Sequence, residues 1–368
     1  MTVPNTVPHR TSMTNAHDEK IPATMKALLT TGDGRFALKD VAIPILKEDE
    51  ILVRVVAIAV NHVDWKYLAL HSRVKGTCMG WDFAGTICQV PPNCPNRKLG
   101  EHVAGLASTG RGAFAEYVAI PGDLTIQLPP TVSFEDAAGL GTACISACQC
   151  LYQELNIPMP GAYSTPHYAQ SILIWSGASS VGQYAIQLAK LSGYKVISTS
   201  APANHDFVKS LGADVVFDHS DSQSARQIFH STEGTLVKAV DCWSQGMSPN
   251  QVSLSFSRQG GEIATLLPYE SRTPGVKAYS VAANSIYGKD TSFPFVTVGS
   301  TNHLQNGKAY CKLISTLITQ NKLKFVPAKV YPGGLLGVAA GIEDMRLGKV
   351  HAQKITCRIA ETSQSNRA

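Results

Sequence analysis

No run in this 368-residue chain approaches the roughly 20 apolar residues that a membrane-crossing helix needs, so no membrane span is expected. Residues 1–24 hold no apolar stretch of leader length. They carry Pro4, Pro8 and Pro22, and with Asp18 and Glu19 beside a single Arg they lack the basic, acid-poor makeup of a transit peptide. They read as a flexible tail on a cytoplasmic protein. The chain also has no CxxC pair. Its nine cysteines are an odd number without the dense spacing of a disulfide scaffold, so they read as reduced thiols. Cys144 and Cys148 stand one helical turn apart with Cys150 close by, but no histidine lies near them, and small apolar core residues are expected there, not metal ligands. No run of Lys and Arg is long enough to track a phosphate backbone, and a formal net charge of +5 is mild, which argues against a nucleic-acid partner. A modest basic excess still suits an acidic protein surface.

What is present is a globular composition, 44% hydrophobic and 16% charged, with 30 glycines and 20 prolines spread without repeats. At this length one core rarely suffices, so two domains meeting at a cleft are expected. From residue 25 the chain runs in strand-sized β-rich pieces: MKALLTT, FALKDVAIP and EILVRVVAIAVN. The last is dense in Val and Ile, as in a strand covered on both faces. Shorter runs at 82–90, 102–106 and 115–120 are punctuated by glycines, and 133–151 has helical spacing. The expected organisation is a glycine-punctuated β-domain over 25–150, a nucleotide domain over 151–310 and a return to the first domain over 311–368.

The nucleotide domain announces itself at residues 172–182. Ile172, Leu173, Ile174 and Trp175 form an apolar strand that ends abruptly in Ser176-Gly177-Ala178-Ser179-Ser180-Val181-Gly182. Val181, Ala185, Leu188 and Leu191 then trace one stripe of a helix, with Gly193 placed as its C-terminal cap. Strand, glycine turn and helix open a dinucleotide-binding unit: Gly177 serves the turn, Gly182 allows close packing, and the amides of Ser180 and Val181 at the helix start face a pyrophosphate. The middle glycine is replaced by Ser179. Such a spacing is weak alone, but further strands at 195–200, 215–217, 237–240 and 262–267 predict a doubly wound parallel sheet, hence an α/β class. At the end of the second strand, where NAD-specific proteins present a carboxylate, stand Ser198, Thr199 and Ser200, followed by Ala201 and Asn204. Without that carboxylate a 2′-phosphate is not repelled, and NADPH is the expected cofactor; the nearest cation is Lys209.

The motifs NHVDWK (61–66), GWDFAG (80–85), GAFAEYV (112–118), GASSVGQYAIQLAK (177–190), KSLGADVVFD (209–218) and GKVHAQKI (348–355) resemble the quinone and enoyl reductase branch of the medium-chain dehydrogenase/reductase superfamily. The resemblance spans residues 25–359 and implies a GroES-like β-rich catalytic domain joined to a Rossmann domain. Where the zinc-dependent alcohol dehydrogenases carry ligands, this chain has Asn61 and Gly80-Trp81-Asp82, so a zinc-independent reductase of a C=C bond is implied, with no metal. VDWK, the turn Gly141-Thr142-Ala143, APANHDFVKSLGADVVFDH and PPNCPNRKLGEHVAG most resemble the stand-alone trans-acting enoyl reductases that serve fungal highly reducing polyketide synthases. The substrate implied is an α,β-unsaturated polyketide thioester on the synthase's acyl-carrier domain. By the same resemblance Lys66 and Thr142 face the reacting thioester, Gly141 to Ala143 line the substrate, and Val63, Asp64, His219, Leu266, Leu267, Val350 and His351 contact the cofactor.

Chemistry supports the two catalytic assignments, since hydride addition at the β-carbon drives negative charge onto the thioester oxygen and Lys66 can meet it and later return a proton. The bland readings are a surface lysine with a buried stem and, for Thr142, an N-cap of the following helix. Asp82 reads as an orienting group or a binder of local amides, and His62 as structural. Two other functions fit the same residues: a free-standing quinone or alkenal reductase, and a nucleotide-binding module without catalysis. A monomer is expected, although relatives in the superfamily pair through an edge near residues 295–298.

Overall fold

The protein is seen here in a computed structural model that describes residues 21–108, 110–161 and 170–363; the expected tail lies outside them except for its last four positions. The chain opens with β1 (Thr24–Thr31) and β2 (Phe36–Ala42), then β3 (Glu50–Ala59), α1 (His62–Leu70), β4 (Lys75–Cys78), β5 (Asp82–Gln89), β6 (His102–Leu106), β7 (Tyr117–Pro121) and β8 (Thr125–Leu128). Two short helices follow, α2 (Phe134–Ala137) and α3 (Leu140–Cys148). The second lobe holds β9 (Ser171–Trp175), α4 (Ser180–Leu191), β10 (Lys195–Ser200), α5 (His205–Ser210), β11 (Val215–Asp218), α6 (Ser224–Ser231), β12 (Lys238–Asp241), α7 (Ser248–Leu254), β13 (Gly261–Thr265) and β14 (Val276–Ser280). The long α8 (Thr301–Thr319) leads back, through β15 (Ala328–Tyr331), α9 (Val338–Arg346) and β16 (Lys354–Arg358), to the first lobe. The position taken as a domain boundary, 310/311, falls inside α8.

The first lobe carries a three-stranded sheet in the order β2-β1-β4 and a seven-stranded one in the order β15-β16-β3-β5-β6-β8, with β7 also on β3. β3 is the strand that the Val and Ile run predicted: Ile51, Leu52, Val53, Ala57, Ile58 and Ala59 are all buried, so both of its faces are covered. The second lobe is a six-stranded sheet, β11-β10-β9-β12-β13-β14, in which every pairing is parallel. That is a GroES-like domain joined to a Rossmann-type doubly wound sheet, as the sequence led us to expect.

Three local expectations need correction. The helix read over 133–151 is split into α2, α3 and a wider turn over Gln149–Glu154, because Gly139 interrupts it. Ser133 caps α2, its Oγ accepting from Asp136 N at 3.2 Å. The fifth strand ends at Thr265, short of the expected 267, and a sixth strand, β14, was not read: VKAYS follows a turn rich in charge, Pro and Gly, with no helix between it and β13 to mark a βαβ unit. The nine cysteines are free; seven are buried, including Cys144, Cys148 and Cys150, and among the described residues no group of three His, Cys, Asp or Glu side chains is placed to hold a metal. No helix of the described residues is long and apolar enough to cross a membrane.

Candidate active site

Gly177 and Gly182 sit where the turn leaves β9, and neither has room for a side chain. A Cβ on Gly177 would meet Ser198 Oγ at 2.1 Å, and one on Gly182 would meet Ser176 O at 2.3 Å. Ser179, in the place of the middle glycine, is the N-cap of α4: its Oγ accepts from Gly182 N at 3.1 Å and donates to Ser176 O at 2.7 Å. The first intrahelical bond is made by Gln183 N to Ser179 O, so the N–H groups of Ser180 and Val181 precede the helical ladder. No acidic residue stands in this first turn. Open amides, positive helix end and absent carboxylates together suit a pyrophosphate. Gly193, at φ +85°, closes the helix as expected.

The predicted adenosine-side residues gather at the end of β10. His219 N donates to Ser200 O at 3.3 Å, Asn204 N donates to Ala201 O at 2.8 Å, and His205 Nε2 lies 3.3 Å from Ser200 O. Leu266 follows β13 with its N–H donating to Ser244 Oγ at 2.9 Å, and Leu267 is half-buried beside it. The loop holding Val350 and His351 is drawn to the glycine turn by Gln183, whose Nε2 donates to Ala178 O at 2.9 Å and Ala352 O at 3.2 Å. Ser200, Ala201, His219 and Leu266 therefore lie at or just past the carboxyl ends of parallel strands, where such sheets bind ligands, and the Val350–His351 loop of the other lobe is held beside the glycine turn.

In the first lobe the turn after β3 starts α1 with a capping box. Asp64 Oδ2 accepts from Asn61 N at 2.6 Å and the residue is fully buried. The Asp64 side chain thus serves the helix end and is turned away from solvent, while Val63 is half-buried. Burial holds the Asp64 carboxyl well above the usual range, with the Asn61 N–H opposing. Thr142 also differs from its bland reading. The N-cap of α3 is Gly139, and Thr142 lies inside the first turn, with N and Oγ1 both donating to Asp82 Oδ1 at 2.6 Å. Asp82 Oδ2 accepts from Asn61 Nδ2 at 2.9 Å and pairs with Lys354 Nζ at 3.2 Å, both side chains of that ion pair being buried. Lys354 Nζ also donates to Asn61 Oδ1. Asn61 and Asp82 are thus bonded to each other and to a buried lysine.

Lys66 follows on α1, half-buried, with Nζ 5.7 Å from the centre of the Trp65 ring. Burial lowers its pKa from the ordinary lysine value. Among the described residues no carboxylate pairs with it. His62 accepts from Trp65 Nε1 at 3.2 Å through Nδ1 and meets Trp243 of the nucleotide lobe edge-on, ring centres 6.4 Å apart. Although the residue as a whole is exposed, desolvation and then the Lys66 and Lys354 charges push His62 down to about 4. Trp243 is 45% exposed and is held by Asp241, whose Oδ1 accepts from Trp243 N at 3.0 Å and Ser244 N at 2.9 Å. The His62–Trp243 contact joins the lobes beside Lys66. Sequence reading missed Lys354, Trp243 and Asp241; Lys354 lay inside the quoted GKVHAQKI motif, but nothing local marked it as the partner of Asp82.

Known proteins share this chain's sequence pattern and fold. Residues 47–130 match the family described as alcohol dehydrogenase GroES-like domain, and residues 180–274 the family described as zinc-binding dehydrogenase. The chain is 32% identical over 345 residues to the trans-enoyl reductase ACTTS2 of Alternaria alternata, covering 91% of this chain and 99% of that one. It is 36% identical over 273 residues to the trans-enoyl reductase TOXD of Cochliobolus carbonum, covering 72% and 91%. The solved CurK enoyl reductase superposes with a TM-score of 0.73 at 19% identity, over 91% of this chain and 99% of the other. The fold and site define a medium-chain dehydrogenase/reductase of the quinone and enoyl reductase type. Within it, the chain belongs to the trans-enoyl reductases and is an enoyl reductase, of a family that uses a nicotinamide dinucleotide.

Proposed function

We propose that this enoyl reductase uses NADPH to reduce an α,β-unsaturated polyketide thioester presented by the acyl-carrier domain of a separate highly reducing polyketide synthase, acting as a cytoplasmic monomer and without zinc. The observation that carries the reading is Lys66, a half-buried cation that no described carboxylate neutralises, beside the contact joining the two lobes. The reduced nicotinamide supplies a hydride to the β-carbon. The electron pair of the double bond then moves onto the thioester as an enolate, whose charge Lys66 meets, and a proton reaches the α-carbon. A lysine whose burial already favours its neutral form gives up a proton more readily than an exposed one. Support for NADPH over NADH comes from the end of β10, where Ser198, Thr199 and Ser200 are buried and leave no carboxylate to repel a 2′-phosphate. Support for a zinc-free site comes from Asn61 and Asp82, whose polar atoms are already bonded to Lys354 and Thr142.

The test is NADPH consumption with an enoyl thioester on a pantetheine handle, a free quinone and a free enal, each with the native protein and Lys66→Ala. Turnover confined to the thioester and lost with Lys66→Ala supports the reading. Preference for the quinone or enal, or indifference to Lys66→Ala, overturns it in favour of a free-standing reductase.

A further inference from the structure

The hydroxyl of a threonine has one proton and two lone pairs, so what it offers a ligand depends on where the proton already goes. In Thr142 it goes to Asp82. Oγ1 lies 2.6 Å from Asp82 Oδ1, and the backbone N–H of Thr142 reaches the same oxygen at 2.6 Å. Asp82 Oδ2 is met by two more donors, Asn61 Nδ2 at 2.9 Å and Lys354 Nζ at 3.2 Å. The Asn61 amide has a single sensible orientation, because Lys354 Nζ donates to its Oδ1 and leaves Nδ2 for Asp82. With a buried ammonium and three other donors converging on it, Asp82 is an acceptor at both oxygens. The walls leave little slack: a Cβ on Gly141 would lie 2.6 Å from Asp82 Oδ1, and one on Gly139 would lie 2.9 Å from Lys354 Cγ. Thr142 is half-buried, and with its proton committed to Asp82 its hydroxyl has lone pairs to offer a ligand and no proton to give.

We propose that Thr142 binds by accepting a hydrogen bond from an amide N–H of a bound molecule, and that Asp82, Asn61 and Lys354 are positioning residues that hold it in that state. The proposal rests on the NADPH and thioester reading above. It divides the site between two residues: the enolate oxygen, which needs a donor, belongs to Lys66, and Thr142 serves an amide. Two amides arrive with the reactants, the carboxamide of the nicotinamide and the first amide of the pantetheine arm, and they share the same chemistry.

Four reactant pairings separate them. The acyl group is supplied either as an N-acetylcysteamine thioester, which has the amide, or as an ethyl thioester, which lacks it. The cofactor is either NADPH or its reduced 3-acetylpyridine analogue, which has no amide N–H. Thr142→Val should raise the KM of whichever reactant carries the relevant N–H by about tenfold, the worth of one hydrogen bond, and leave the KM of its amide-free analogue unchanged. Thr142→Ser should restore it. The double variant Asp82→Asn/Lys354→Met, which leaves no unpaired buried charge, should show the same selective loss. A shift confined to the N-acetylcysteamine thioester assigns the pantetheine amide, and one confined to NADPH assigns the carboxamide. An equal fall in kcat across all four pairings with KM unchanged, or no change at all, overturns the proposal. If the native protein reduces no thioester, the functional reading fails alone. The same comparison is then read as dissociation constants for the two cofactors and two thioesters by nucleotide fluorescence and calorimetry.

Discussion

Two fully buried aspartates, one in each lobe, are kept in different ways. Asp82, at the start of β5, is surrounded by Thr142, Asn61 and the ammonium of Lys354. Asp241, at the end of β12, has among the described residues only neutral donors: Trp243 N and Ser244 N on one oxygen, and Ser248 Oγ at 2.8 Å and Tyr269 OH at 3.2 Å on the other. Burial raises the Asp241 carboxyl above its ordinary value, and its four neutral donors oppose that shift without cancelling it. The difference follows from what each one holds. Asp241 ties down a loop of its own lobe, which neutral hydrogen bonds accomplish. Asp82 must join β5, α3, the start of α1 and a strand that returns from the far end of the chain, and a charged pair joins them with direction as well as strength.

The comparison is broken most directly by removing one charge. Lys354→Met leaves Asp82 buried and unpaired and should destabilise the protein by about 3–5 kcal/mol, whereas Asp82→Asn/Lys354→Met should recover most of that loss. Asp241→Asn, which orphans no charge, should cost about 1–2 kcal/mol. Urea denaturation of the three variants measures all of these, and an Asp241→Asn loss as large as that of Lys354→Met would erase the distinction.

A second contrast lies between this bonded network and the glycine turn, whose function is to leave space. Gly177→Ala would bring a Cβ to 2.1 Å from Ser198 Oγ and 2.8 Å from Ile186 Cδ1. The strain of overpacking, about 1–3 kcal/mol, falls on the turn itself, so NADPH binding should weaken by about tenfold or more. Fluorescence titration of the nucleotide checks it. Unchanged affinity would mean that the turn does not carry the pyrophosphate.

These two regions were unequally legible in the sequence. The glycine turn could be read because everything that makes it lies in one continuous stretch from Ile172 to Gly193: an apolar strand, the glycines at 177 and 182, a helical stripe and Gly193. The network could not, because Thr142 meets a carboxylate 60 positions away and Asn61 meets a lysine 293 positions away. Spacing carries no information about such pairings. The resemblance to known reductases directed attention to Lys66 and Thr142, and to Asn61 and Gly80-Trp81-Asp82 in place of zinc-ligand motifs, without indicating that Lys354 bonds to Asn61 and Asp82. β14 escaped because it is only five residues long, its alternation fails at Ala278-Tyr279 and no helix precedes it.

The Asp241 carboxyl makes the contrast visible in pH. A carboxyl whose folded value is raised above its unfolded one binds more protons in the folded state between the two values, so its contribution to stability is complete below the ordinary 3.8 and is lost as pH rises through the folded value. Asp241→Asn has no such dependence. Relative to the native protein, the variant should therefore gain stability as pH rises across that window. Denaturant midpoints at a series of pH values measure the difference, and a constant offset would mean that the carboxyl is not perturbed.

The smallest effect reads the charge of the Asp82 lobe from its neighbour. His62, desolvated between indoles and near both Lys66 and Lys354, is pushed down to about 4, so its ring stays neutral at physiological pH. Among the eleven histidines its NMR signal, assigned by its disappearance in His62→Gln, should stay flat across the range where exposed imidazoles titrate. Lys66→Met removes the nearer cation but leaves the desolvation, so the midpoint should rise only part of the way to the ordinary 6.5. In Asp82→Asn/Lys354→Met, where the more distant charge is gone, the rise should be smaller still. A His62 that titrates normally in the native protein would mean that the ring is not desolvated at this contact.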